Sequence, residues 1–181
     1  MNDVTDHFER LGLPRRFAID TDRIEREYLA RTREVHPDFY SGADAGEQSR
    51  SLDLSSRLNE SYAVLKDPRR RAEHLMILEG GPTAADQKQM QPEFLEEMLE
   101  LRMAIEELRE TEPVGSEAFT AMEQQLLSRQ QSLFETVGAS FERLLPMPKS
   151  EPNRTTELKS IRESLNAAKY IQGLIRDLGA D

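Results

Sequence analysis

A chain of 181 residues with 37% hydrophobic content can build one domain or two small ones. It has no run of about 18 apolar residues, and its opening MNDVTDHFERLGL carries acids where a secretory signal would be basic and then apolar, so it is expected to stay in the cytoplasm. With no cysteine it forms no disulfide, thiolate metal site or cysteine nucleophile, and a net charge of -10, shared as -3 over residues 1–80 and -7 over 81–181, repels nucleic acid and anionic membranes.

Nine glycines, nine prolines, no tryptophan and an abundance of Leu, Glu, Arg and Ala predict an all-α chain. A first short helix is expected over Thr5 to Leu11, capped by Thr5 and stopped at Gly12-Leu13-Pro14. The second starts after Asp20 or Thr21, places Ile24, Tyr28, Thr32 and Val35 on one side, and ends at His36 because the residue before Pro37 is biased away from the α region. A loop over Asp38 to Asp44 leads to a third helix from Ala45 to Leu65, with Leu54, Leu58, Tyr62 and Leu65 on its inner face. Helices two and three then pair as an antiparallel hairpin that exposes His36 to Asp38 at its tip. A fourth helix runs from Pro68 to Leu78.

Gly80-Gly81-Pro82 marks the best boundary in the chain, giving an N-terminal domain over 1–80, a linker over 81–91 and a C-terminal domain over 92–181. Three helices are expected in the last: Pro92 to Thr111, Ser116 to Leu145 and Thr155 to Leu178. Their apolar seams are Phe94, Met98, Leu101, Ile105 and Leu108; then Phe119, Met122, Leu126, Leu133, Val137 and Leu144; then Leu158, Ile161, Leu165, Ala168 and Ile175. Three such seams close a three-helix bundle. The sequence has no internal repeat.

His36-Pro37-Asp38 joins an amphipathic helix to a turn, where the proline stiffens the backbone and turns a titratable ring and a carboxylate outward. A rigid exposed carboxylate can pair with a partner's arginine at little ordering cost. Taken alone, the tripeptide is also what an ordinary helix end needs: His36 at the negative dipole end and Asp38 opening a turn. Opposite the inner face of the second helix, Arg26 and Arg33, with Arg23 at the edge, form a basic strip suited to an acidic partner. Glu25, Glu27 and Glu34 dilute it, and an ordinary solvated face explains three arginines as well.

In the context of the whole N-terminal half the chain resembles the J-domain family. The matching features are Phe8 and Leu11 in helix one, the helix ending at His36-Pro37-Asp38, and Leu58-Asn59-x-x-Tyr62-x-x-Leu65-x-Asp67-Pro68 in helix three. The resemblance implies that His36, Pro37 and Asp38 contact a DnaK/HscA-type chaperone and stimulate its ATP hydrolysis, and the basic strip of Arg26 and Arg33 is expected to help dock the same partner. Phe39 departs from the family, which usually has a lysine after the tripeptide, and that puts the strength of the contact in doubt.

Two further segments, GLPRRFAID and RRRAEHLMILEG, are similar to the HscB-type co-chaperone of iron-sulfur cluster assembly, in which a J-domain is followed directly by a three-helix bundle. The likeness is strong over residues 6–80 and weak from 113 onward. On the first bundle helix, Leu95, Leu99 and Met103 form a second apolar row about 100 to 180 degrees from the core seam, bordered by Glu96, Glu100 and Glu107. From the residues alone two readings stay open: a protein-binding surface, or packing on the N-terminal domain. The resemblance implies the first, with Leu95, Leu99, Glu100, Met103 and Glu107 holding an iron-sulfur scaffold protein of the IscU type. Glu96 stands where the family often has an apolar residue and Met103 where it often has an acid. The aromatic that the family adds from its last helix has no counterpart around Ser160 and Ile161.

Catalysis is not expected, because Pro37 separates His36 from Asp38 on a loop with no nucleophile or oxyanion site nearby. No cofactor is expected, and no metal, since His7, His36 and His74 fall on three different helices. Two rival readings remain: a co-chaperone of general DnaK with another client, and a non-catalytic helical adaptor whose tripeptide is incidental.

Overall fold

A computed structural model describes residues 5–40, 42 and 44–179; Ser41 and Ala43 of the expected loop, and the first four and last two residues, lie outside the described residues, and of Pro37 only the backbone is described. The chain divides between Gly80 and Gly81 into two compact units. All regular structure among the described residues is helical.

Helix α1 spans His7–Arg10, shorter than expected, because Asp6 rather than Thr5 caps it. The Asp6 carboxylate accepts from the N–H groups of Phe8 and Glu9 at 2.9 and 3.2 Å, stronger bonds than a neutral hydroxyl would form. Gly12, at φ 61, closes the helix: the Leu13 N–H reaches back to Phe8 O at 2.8 Å and the Gly12 N–H to Glu9 O at 2.9 Å. Phe8 and Leu11 are thereby driven fully into the core of this unit.

Helix α2, Thr21–Glu34, is capped by Asp20 and buries Ile24 completely, with Tyr28, Thr32 and Val35 half-buried on the same side. It stops two residues earlier than expected: Val35 caps it, and a 3-10 turn, Pro37–Tyr40, follows. Proline restricts the residue before it, so His36 already leaves the helix. Helix α3, Ala45–Lys66, returns antiparallel to α2. Ser51 and Ser55 near its start donate to Val35 O at 2.8 and 3.2 Å, while further along the Tyr28 hydroxyl donates to Asn59 and its ring stacks on Tyr62 with centroids 4.3 Å apart.

One expected inner residue is wrong. Leu54 is 47% exposed, and the buried positions of α3 are Ser51, Leu58, Ser61, Val64 and Leu65. Helix α1 covers only the later turns of α3, where Arg10 bonds Arg57 O and Ser61, and at the tip end small serines let α2 approach. Leu54 therefore stays half exposed. Helix α4, Pro68–Leu78, completes the unit, capped by Asp67 and buried through Ala72, Leu75 and Met76.

In the second unit α5 spans Pro92–Thr111, α6 Glu117–Leu144 and α7 Asn153–Leu178, within two residues of expectation. Met98 and Ile105 of α5 meet Phe119 and Leu126 of α6 and Ile171, Leu174 and Leu178 of α7 in one cluster. Helix α7 is the central element, buried more widely than its expected seam: Ala167, Ile171, Leu174, Arg154 and Arg162 join it inside. The two arginines are interior because carbonyls meet them. Arg154 donates to Leu144 O and Met147 O, satisfying the end of α6, and Arg162 donates to Pro82 O at 2.9 Å. The expected linker is therefore tied to α7, since Gln87 O also accepts from Asn166 at 2.7 Å and the Gln87 amide reaches Glu163.

Candidate functional site

The 3-10 turn holds the tripeptide by its own backbone. Phe39 N–H donates to His36 O at 3.0 Å, and Asp38 N–H donates to His36 Nδ1 at 3.3 Å. The Asp38 carboxylate lies 3.5 Å from the same nitrogen, and its side chain is 86% exposed. Phe39 sets its ring edge-on to His36, with centroids 6.2 Å apart, and is itself exposed. A carboxylate fixed by a short turn and open to water is ready to receive a cationic donor from another molecule.

Along α2, Arg23, Arg26 and Arg33 are all exposed, opposite buried Ile24. Arg26 and Arg33 carry no hydrogen bond or ion pair among the described residues. Arg31, by contrast, turns inward and pairs with Glu27, so the strip loses one of its diluting acids. Seven residues of helix separate Arg26 from Arg33, roughly 10 Å. The strip thus leads up to the tip.

On α5 the core positions Met98 and Ile105 force the remaining face outward: Leu95, Leu99 and Met103 are 46%, 58% and 61% exposed. Glu96, Glu100 and Glu107 are exposed beside them. No aromatic stands at Ser160 or Ile161; elsewhere on α7 the Tyr170 ring stands edge-on to Phe94 of α5 with centroids 6.2 Å apart. Sequence reasoning missed it because the register of α7 against α5 is not written in either helix alone. The visible signal was its position two residues after Ala168 of the α7 seam.

Of the three histidines, two converge after all. The His7 and His74 rings lie tilted at 53° with centroids 4.5 Å apart, His74 Nε2 accepts from the His7 N–H at 3.1 Å, and His7 Nδ1 lies 3.0 Å from Ser61 Oγ. Burial pushes His74 down to about 4, with His7 beside it adding to the shift, and burial lowers His7 as well. Burial raises the nearby Asp6 carboxyl, but the Glu9 and Phe8 N–H groups and Arg15 outweigh it and hold the group below its ordinary value. With its ring nitrogen already occupied by a backbone donor, His74 serves packing and capping. His36 stands apart from this pair, just ahead of the 3-10 turn.

A helical hairpin with a His-Pro-Asp tip, followed by a helical bundle, defines a J-domain type of co-chaperone architecture, and solved structures share the fold. The HscB chaperone of Vibrio cholerae superposes with a TM-score of 0.75 at 23% identity, over 96% of this chain and 95% of that one. Human co-chaperone protein HscB gives 0.77 at 25% identity, over 98% and 82%. A family model described as the HSCB C-terminal oligomerisation domain matches residues 90–179. The co-chaperone protein HscB homolog of Bordetella pertussis is 36% identical over 134 residues, 73% of this chain and 78% of that protein. The homolog from Azoarcus is 41% identical over 105 residues, a match spanning 58% of this chain and 59% of that protein. The chain belongs to the HscB family of co-chaperones.

Proposed function

We propose that the protein delivers an iron-sulfur scaffold protein of the IscU type to a DnaK/HscA-type chaperone in the cytoplasm and stimulates that chaperone's ATPase. The observation that carries this reading is the coexistence, in one HscB-family chain, of a fixed, solvent-exposed carboxylate at the hairpin tip and an uncovered apolar row on α5. Asp38 pairs with an arginine of the chaperone, held by the turn that His36 and Pro37 begin, while Arg26 and Arg33 steer the approach. Leu95, Leu99 and Met103 hold the scaffold by apolar contact, with Glu100 and Glu107 fixing its orientation.

Having both sites on one chain raises the effective concentration of scaffold at the chaperone. The protein acts by binding, with no catalysis, ATP or cluster of its own. The two parts are tested separately by titrating the source organism's scaffold protein onto the wild type and onto Leu95→Ser/Leu99→Ser, and by assaying chaperone ATPase with Asp38→Ala. Saturable binding lost in the first variant, together with stimulation lost in the second, supports delivery. Stimulation that depends on Asp38 without any scaffold binding would leave a co-chaperone serving a different client.

A further inference from the structure

Between α5 and α7 lies a groove of about 270 Å³ lined by Arg102, Lys169, Tyr170, Gly173, Arg176 and Asp177. Its centre is open because a Cβ at Gly173 would meet nothing within 4 Å. Half-buried Tyr170 gives it an amphipathic wall. Arg102 and Arg176 approach the Asp177 carboxylate at 3.6 and 3.5 Å, and exposed Lys169 has no partner among the described residues. Three cations thus face one carboxylate, in a half of the chain whose net charge is -7.

The groove adjoins the apolar row of α5. At about 100 degrees per residue, Arg102 lies roughly 40 degrees from Met98, the row Leu95, Leu99 and Met103 at roughly 60 to 140 degrees, and Glu96, Glu107 and Glu100 at roughly 160 to 200. The row therefore has borders of opposite sign: cations shared with α7 on one edge, carboxylates on the other. Because the surrounding unit is acidic and screening confines exposed charges to about 8 Å, this basic edge acts on what is already docked beside it rather than from a distance.

We propose that the groove takes an acidic segment of the same protein that α5 holds, so that Lys169, Arg176 and Arg102 bind its carboxylates while Glu100 and Glu107 face its basic side. Opposite borders admit one orientation of the partner and oppose the reversed one by like-charge contact. The inference rests on the reading that the α5 row is a scaffold-binding surface, and the test separates the two.

The scaffold protein is titrated calorimetrically onto the intact chain, Lys169→Glu/Arg176→Glu, Lys169→Ala and Leu95→Ser/Leu99→Ser, each at low and high salt, with helicity and melting temperature as folding controls. The charge-reversed variant is expected to bind about tenfold or more weakly at low salt and to lose much of the wild type's salt dependence, and Lys169→Ala to weaken binding by a smaller factor. Its ability to stimulate the chaperone ATPase alone is expected to stay intact. Wild-type binding that the leucine variant loses but both groove variants retain overturns the groove and leaves the α5 reading standing. No binding by the wild type overturns both.

Discussion

At the scale of single residues, the two functional ends of the molecule are built differently. Asp38 is placed by its N–H bond to the His36 ring and by the Phe39 N–H bond to His36 O, all within four residues, so its replacement removes a charge without disturbing a core. Asp38→Ala is expected to abolish stimulation of the chaperone ATPase while leaving the melting temperature within about 2 °C of wild type, since substitutions on an exposed turn cost little. The same protein retaining full stimulation would remove the tip from the mechanism. His74 is the opposite case, 6% exposed and coupled to its neighbours. Its value is about 4 in the folded chain against 6.5 when unfolded, so between those values the unfolded state binds the extra proton. Stability is therefore undiminished above pH 6.5 and falls as pH drops toward 4, by on the order of 3 kcal/mol from this group. Urea unfolding of wild type and His74→Phe across that window measures it: the variant is expected to lose about 1 kcal/mol at pH 7 with the bond to His7, and to show a flatter slope below.

Helix ends and close approaches decide matters at the scale of elements. Gly12 stands in the left-handed region, and a Cβ there would come within 1.8 Å of the Arg31 guanidinium laid over it. Gly12→Ala is expected to destabilise the protein by about 1 to 2 kcal/mol, seen in thermal or urea unfolding, through both the backbone and the displaced arginine. Arg154 plays the analogous part for α6. Replacing it by methionine leaves Leu144 O with only the Met147 N–H and takes the arginine from Met147 O, and is expected to cost about 1 to 3 kcal/mol, with the loss visible in the same measurements. A near-neutral result would mean that water reaches those carbonyls.

For the molecule as a whole, the function proposed depends on two units that each offer one surface. Leu95→Ser/Leu99→Ser is expected to leave chaperone stimulation by the co-chaperone alone unchanged, while abolishing the additional stimulation that scaffold protein brings through the shared chain. Single-turnover ATPase assays with and without scaffold check this. Equal loss of both would show that the leucines support the fold rather than the contact.

What could be read from the residues was whatever depends on near neighbours in the chain. Proline and glycine punctuation, aspartate caps and the period of apolar residues located the seven helices to within a few residues, and the core seam of α5 left Leu95, Leu99 and Met103 to face outward. These signals are local because a helix closes its own hydrogen bonds. The tertiary structure decided which faces find cover. Leu54 has the right period and yet stays half exposed, Arg162 looks like a surface residue until Pro82 O meets it, and His7, His74 and Asp6 come together across 68 positions of chain. Tyr170 and Arg102 line one groove only because α5 and α7 pack in one particular register. Burial and pairing between distant segments are properties of the packed arrangement, and no helix carries them in its own period.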